Sequence, residues 1–400
     1  MLLIVLLGII LAINIGILAC WAYFLVLITW SISKSPKLEW SARYRIKSKP
    51  KISIIVPARN EEGKISKCLQ SLLSQDYDNY EVIAIDDSST DKTLSIISEL
   101  SKKNHRLIPV KSPPKPDDWV GKSWACFQGY QKSSGKILLF TDADTVHRSD
   151  ALSSAVNTMV HDELDALTLV PKLLCSDIIT KFTLPVLSVF LHTRYSPLRV
   201  NNPKNKIGYF FGSFYLISKK NYEKIGTHEQ VRQELVEDGA LGRRVKEQRM
   251  KLRLIRGENY VEALWARDPR SLWHALRRII IPLHTQKKRS AMMVTAFIFF
   301  ILMEPFLILP TSLLYLLDNP LKGPLLTINL LTLILMLICT IVQSHFGLLQ
   351  KSIYGIGFAI GCVVITLCFL ISAFNSKGNR VVRWRDRSYF VGTKQHPFHL

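Results

Sequence analysis

Six carboxylates in this 400-residue chain stand where side chains can do chemistry. Asp86 and Asp87 close the apolar run EVIAI, Asp142 and Asp144 follow KILLF, and Glu237 and Asp238 precede GALGRRVKEQ. In open, mostly parallel sheets, ligands bind beyond the carboxyl ends of the strands. Two acid pairs at two such ends are therefore expected to meet in one crevice. Asp142 and Asp144 are two apart, so an extended segment would point both to the same side. Oxygen ligands so placed suit a hard divalent cation, Mg²⁺ or Mn²⁺, which keeps waters and takes further oxygens. The plainer reading of the stretch from Asp86 to Asp91 is turn and helix-cap chemistry. For Glu237 and Asp238 it is attraction to the positive end of a helix.

The elements that must position these acids show in the apolar pattern. ISIIV (Ile52 to Val56), EVIAI (Glu81 to Ile85), KILLF (Lys136 to Phe140) and ALTLV (Ala166 to Val170) read as buried strands. Ile65, Cys68, Leu69, Leu72 and Leu73 recur at helical spacing between the first two, and Thr93 to Leu100 does so after the second. Strand, helix, strand and helix in succession predict an α/β domain with a mostly parallel sheet.

The chain is 48% hydrophobic yet carries a net charge of +21, so the two properties must occupy different segments. Met1 to Trp30 holds no charged residue, and most of Ala291 to Phe374 is apolar. This excludes a purely soluble enzyme, a disulfide scaffold and a fibrous rod. The seven cysteines form no C-x-x-C pair. About 20 apolar residues span a bilayer, so the first stretch predicts a retained membrane helix. The expected organisation is a membrane helix (1–33), an α/β domain (34–266), a basic interfacial linker (267–290), a second membrane block (291–375) and a basic tail (376–400). Arg267, Arg270, Arg277, Arg278, Lys287, Lys288 and Arg289 put the domain on the cytosolic side of a cell membrane by the positive-inside rule. Three full spans after it would strand the basic tail outside, so Ala291 to Leu317 is expected to be re-entrant or interfacial. Glu304 within it should face protein or water.

Three segments carry a resemblance. SIIVPARNEEGKISKCLQSLLSQDYDNYEVIAIDDSSTDKT resembles the nucleotide-binding half of family 2 glycosyltransferases, which have the GT-A fold. GKSWACFQGYQKSSGKILLFTDADT resembles their next segment, with its Asp-x-Asp motif. YEKIGTHEQVRQELVEDGALGRRVKEQ is similar to their acceptor segment, with Glu237 and Asp238 at the catalytic Glu-Asp position. The flanking spans resemble the membrane-anchored branch that glycosylates lipids, including carotenoid- and hopanoid-associated enzymes. The resemblance implies that Pro57, Ala58, Asn60 and Glu61 line the nucleotide pocket and that Asp86 or Asp87 contacts base or ribose. It implies Lys122 near the donor, Asp142 facing the nucleotide sugar, Asp144 on the metal and Asp238 as general base. The implied activity is inverting transfer of one sugar from a UDP- or GDP-linked donor to a lipid or lipid-phosphate acceptor.

One departure bears on the alternative of a processive polysaccharide synthase. Such enzymes carry Gln-x-x-Arg-Trp before the membrane block. Here Gln286 and Arg289 keep the spacing but Ser290 replaces Trp, which favours single transfer. SLWHALRRIIIP reads as an amphipathic interfacial helix or a core-packed one. His147 reads as a loop histidine or a metal ligand, and Trp119 and Trp124 as a stacking pair or core. VVRWRDRSY resembles a tail motif of related membrane enzymes, and reads as a fold-back onto the domain or a headgroup anchor. The basic charge sits beside apolar spans rather than along an aromatic-studded stripe, so no nucleic-acid partner is expected. A transporter would need paired intramembrane charges or repeat halves, which the sequence lacks.

Overall fold

The computed structural model describes residues 2–39, 49–286, 288–314, 321–374, 381–384 and 387–390. After helix α1 (Leu2–Lys34) come β1 (Ile52–Ala58), α2 (Ile65–Leu73), β2 (Tyr80–Asp86), α3 (Thr93–Lys103), β3 (Leu107–Lys111), α4 (Gly121–Lys132) and β4 (Ile137–Phe140). The second part of the domain holds β5 (Thr145–His147), α5 (Ala151–His161), β6 (Ala166–Val170), β7 (Lys172–Cys175), α6 (Ile178–Tyr195), α7 (Pro197–Val200), β8 (Tyr215–Ser218) and α8 (Lys219–Lys224). Then follow α9 (Glu237–Glu247), β9 (Leu252–Arg256), β10 (Val261–Ala266), α10 (Pro269–Gln286), α11 (Lys288–Leu314), α12 (Lys322–Val342), α13 (Ile353–Ile356) and α14 (Phe358–Phe374). Two strands, β11 (Val381–Trp384) and β12 (Arg387–Phe390), close the order.

The central sheet has seven strands in the order β3-β2-β1-β4-β8-β6-β9. All pairs are parallel except those of β8, which runs antiparallel to β4 and β6. Both faces are covered, which is why the strands read as unbroken apolar runs. Ile52, Ile54 and Val56 pack on one side with Cys68, Leu69 and Leu72 of α2. Ile55, Ile83, Leu138 and Phe140 pack on the other with α4 and α9 residues such as Ala125 and Leu241. The register pairs Ala58 with Asp86 and Ile55 with Phe140, so the acid-bearing ends of β2 and β4 lie on either side of the end of β1.

The apolar helices form a second core with the domain's own α6 and α10. Trp21, Leu184, Leu276, Leu302, Met336 and Cys362 are all buried in it. Among the described residues, three helical stretches are long and apolar enough to cross a membrane, Val5–Lys34, Arg289–Pro310 and Lys322–Gly347; Phe358–Phe374 is shorter. Glu304 does face protein: its Oε1 accepts from Asn14 Nδ2 of α1 at 2.6 Å, and Asn329 Nδ2 of α12 lies 3.3 Å from Asn14 Oδ1. Helix α14 lies tightly on α6, because a Cβ on Gly361 would fall 2.5 Å from the Phe182 carbonyl oxygen. The strands β11 and β12 pair antiparallel, and Arg387 and Tyr389 meet the domain near α4. Lys287 and the side chain of Gln286 lie outside the described residues, as do Lys377, Arg380, Arg385, Asp386 and Lys394.

Candidate active site

The C-terminal ends of β1, β2 and β4 open into a cavity of about 640 Å³. Pro57, Ala58, Glu61, Asp87, Lys122, Asp142, Asp144, Glu237 and Asp238 all line it. Asp87 is pinned at the strand ends, its N–H donating to Ala58 O at 2.8 Å. Asn60 and Asp86 do not line the cavity; they hold the loop beside it. Thr90 N–H donates to Asn60 Oδ1 at 2.9 Å, with Asn60 at φ +52°, and Ser89 N–H donates to Asp86 Oδ2 at 3.2 Å. The cap reading applies to Asp91, whose Oδ1 accepts from the N–H and hydroxyl of Thr93.

Lys122, the second residue of α4, ties two distant segments together. Its Nζ lies 2.7 Å from Asp142 Oδ1 and 2.7 Å from Glu237 Oε1. Asp238 Oδ2 accepts the Gly212 N–H at 2.9 Å, and its Oδ1 accepts the Gly239 N–H at 2.7 Å. Gly212 had no role in the sequence reading. A Cβ there would fall 2.7 Å from Asp238 Oδ2, 2.9 Å from Lys122 Nζ and 3.3 Å from Asp142 Oδ2. Its signal was a lone glycine inside the aromatic run YFFGSF.

Asp142 and Asp144 reach the cavity differently from the extended geometry expected. Ala143 and Asp144 form a turn between β4 and β5, and the turn turns both acids inward. His147 is neither a solvated loop residue nor at the cavity. It is buried in β5, with Nε2 2.9 Å from Thr145 Oγ1, and burial pushes its pKa down to about 3. Trp119 and Trp124 pack edge-on against each other at 5.1 Å.

Burial pushes the Asp238 carboxyl up to about 6, helped by Glu237 and opposed by Lys122. Burial and the neighbouring Asp142 push Asp144 up to about 6 as well, against the pull of Arg267. Burial disfavours the charge of Lys122, yet Asp142, Glu237 and Asp238 outweigh it and hold the ammonium well above its ordinary pKa. Among the described residues no group of three or more His, Cys, Asp or Glu is gathered around a metal position. The pair Asp142 and Asp144 still fits a hard cation. Their mutual repulsion is what such a charge relieves, and two carboxylates leave positions for waters and other oxygens.

The cavity continues away from the acids, between α6, α10 and the end of α12. Ile32, Leu184, Leu191, Ile279 and Leu348 form apolar wall there. Carried by residues of that wall are buried polar atoms with no hydrogen-bond partner among the described residues: His192 Nε2, Trp265 Nε1, Arg278 Nε and Gln343 Oε1. Arg267, expected in the basic approach to the membrane, pairs instead with Glu61 at the cavity edge.

Residues 53–226 match the model of the glycosyl transferase family 2 family. Those residues form a family 2 glycosyltransferase domain. A 4,4'-diaponeurosporenoate glycosyltransferase of Staphylococcus haemolyticus is 36% identical over 113 residues, 28% of this chain and 29% of that protein. Its counterpart in Staphylococcus aureus (strain USA300) is 26% identical over 250 residues, 59% of this chain and 63% of that protein. The chain thus matches less than two thirds of the length of either curated relative. In three dimensions, a Pyrobaculum calidifontis mannosyltransferase, PcManGT, solved with GDP-Man and Mn²⁺, superposes with a TM-score of 0.53 at 17% identity. That match covers 92% of this chain and 98% of the other. The glycosyltransferase domain has the GT-A fold, as expected from the sequence.

Proposed function

We propose that this protein moves a single sugar, with inversion, from a nucleotide sugar to an amphiphilic lipid acceptor at a membrane surface. The observation that carries the reading is one continuous cavity with two chemistries. Its acidic end joins Asp87, Asp142, Asp144 and Asp238, and its other end is apolar with a few unpaired polar atoms. The GDP-Man and Mn²⁺ bound to PcManGT and the 4,4'-diaponeurosporenoate in the staphylococcal relatives' name support a sugar nucleotide and a lipid.

A sugar or lipid hydroxyl is a weak nucleophile at neutral pH and needs a positioned base. Asp238 accepts that proton while the acceptor oxygen forms a bond to the anomeric carbon. The bond from that carbon to the diphosphate oxygen breaks on the opposite face, and its electron pair leaves with the nucleoside diphosphate. The Gly212 and Gly239 N–H groups hold the carboxylate in place for the proton. Lys122 fixes Asp142 and Glu237 and sets positive charge beside the departing diphosphate. Mg²⁺ or Mn²⁺ on Asp144 and Asp142 would neutralise the diphosphate charge when bound.

For topology, we infer three crossings, by α1, α11 and α12. Helices α11 and α12 leave and return to the domain, since Gln343 and Leu348 reach the cavity. Helix α14 begins against α6 and the hairpin after it meets α4, so α14 lies along the domain's membrane face. This assigns the non-crossing element to α14 rather than to Ala291 to Leu317, and keeps the basic tail on the domain's side. The basic flanks of α10 support a cytosolic domain.

The test is transfer of labelled sugar by membranes carrying Asp238→Asn or Asp144→Asn. Each variant should lose at least about 100-fold in rate, with Asp238→Asn still binding nucleotide. Wild-type rates in both would refute the assignment, and a ladder of glycans would refute single transfer.

A further inference from the structure

The terminal hairpin brings two side chains to the donor end of the site. Arg387 Nη1 donates to Asp87 Oδ2 at 2.5 Å and Nη2 to Oδ1 at 3.2 Å, a forked pair across 300 residues of sequence. Asp87 is 4% exposed and Arg387 19%, so the contact is an interior one. Beside it, Tyr389 Oη accepts the N–H of Gly121, the residue before Lys122, at 3.2 Å. The Tyr389 ring packs with Val120, with Leu235 just ahead of Glu237, and with Ile281 of α10. A Cβ on Gly121 would fall 2.3 Å from Arg387 Nη1 and 2.7 Å from Asp87 Oδ2, so only glycine leaves room for the guanidinium.

Asp87 lines the cavity and Arg387 does not, so Arg387 reaches the carboxylate from behind. We propose that the β11–β12 hairpin is a built part of the donor site and that Arg387 is a positioning residue, fixing Asp87 for hydrogen bonds from the nucleoside of a nucleotide donor. This rests on the glycosyltransferase reading above. A forked guanidinium sets both the position and the plane of a carboxylate. Each Asp87 oxygen keeps a lone pair for a ribose hydroxyl or a base N–H. Burial holds the Asp87 pKa above its ordinary value, and Arg387 and Arg59 limit that rise in favour of the acceptor form. The hairpin thereby joins the end of β2, the start of α4 and the loop leading to Asp238. Because it follows α14, it also ties the membrane face to the nucleotide pocket.

The experiment uses the full chain in detergent, with UDP and GDP, each with Mn²⁺, as probes in calorimetry, and donor kinetics where transfer is seen. Arg387→Ala should weaken nucleotide binding on the order of 10- to 100-fold and raise donor KM more than it lowers kcat. Arg387→Lys should recover part of the loss. In an Asp87→Ala background, Arg387→Ala should cost nothing further, which a merely structural hairpin would not produce. Tyr389→Phe, expected to weaken binding several-fold, keeps the question decidable if Arg387→Ala fails to fold. Unchanged affinity in Arg387→Ala, or in Tyr389→Phe where only that variant folds, overturns the proposal. So does tighter binding, which would make the hairpin a cover that the donor displaces. A wild-type protein that binds neither nucleotide overturns the donor reading itself, and this proposal with it.

Discussion

Replacing Lys122 with Met keeps the stem and removes the charge, which isolates what the ammonium does. In the wild type it sits 2.7 Å from both Asp142 and Glu237. The two carboxylates differ in what they lose. Asp142 is 34% exposed and can turn to water, so its share is about 1 kcal/mol or less. Glu237 is 5% exposed and would be left as a buried, unpaired charge, which costs about 3–5 kcal/mol. At about 2–4 °C per kcal/mol for a domain of this size, Lys122→Met should lower the melting temperature by roughly 10 °C. Adding Glu237→Gln should return most of that, because the unpaired charge is then gone. Both are readable by thermal unfolding in one detergent at neutral pH. A melting temperature within a degree of wild type, or no recovery in the double variant, would refute the view of Lys122 as the residue that neutralises this cluster.

Three further expectations follow from the same geometry. Asp238 must be ionised to take a proton and its pKa is pushed up to about 6, so kcat/KM should rise through about pH 6 and level off above it, measured at saturating Mn²⁺; a flat profile from pH 5 to 8 would contradict the role. Because that pKa is raised on folding, Asp238 contributes stability below its unfolded value near 4 that is lost as pH rises through about 6, so melting temperature and activity should move in opposite directions across that window. Gly212→Ala should cut the rate about 100-fold while leaving circular dichroism unchanged, since its Cβ would displace the Asp238 carboxylate; full activity would show that the spacing is not critical. Reporters fused within the domain and after residue 400 should report the same side of the membrane, and opposite sides would refute three crossings.

What the sequence could show and what it could not divides along physical lines. Strands β1, β2 and β4 are local apolar runs, and the acids at their ends follow from chain direction alone. The fold class and the meeting of Asp87 with Asp142 and Asp144 were therefore open to inspection, whereas Asp238, at the start of α9, was placed with them only by the family resemblance. Helix α6 was not, because its pattern IITKFTLPVLSVFLHTRY is apolar on several sides and interrupted by Pro185. It is explained by two partners, the domain and the membrane block, so no single helical stripe appears. The inward turn at Ala143 and Asp144 escaped because alternation assumes an extended chain. Asn60 and Asp86 were drawn into the pocket by their neighbours in the motif, whereas their hydrogen bonds go to the adjoining loop. The Arg387 pairing spans too many residues for any periodicity to reveal.

The unpaired polar atoms near the apolar end of the cavity are costly to the fold. A buried donor or acceptor left without a partner costs about 1–3 kcal/mol. Four such atoms, on His192, Trp265, Arg278 and Gln343, together weigh heavily against a net folding stability of about 5–15 kcal/mol. Helix α10 shows why the fold keeps them. Leu272, Leu276 and Ile280 bury one side of it in the core shared with the apolar helices, while Arg270, His274 and Arg278 turn toward the cavity. One helix thus forms the wall of the site and the boundary with the apolar block. On the proposed function, an amphiphile entering along α10 would leave its chain against Leu191 and Ile279. In that proposed placement its nucleophilic oxygen would face Asp238, the proposed base.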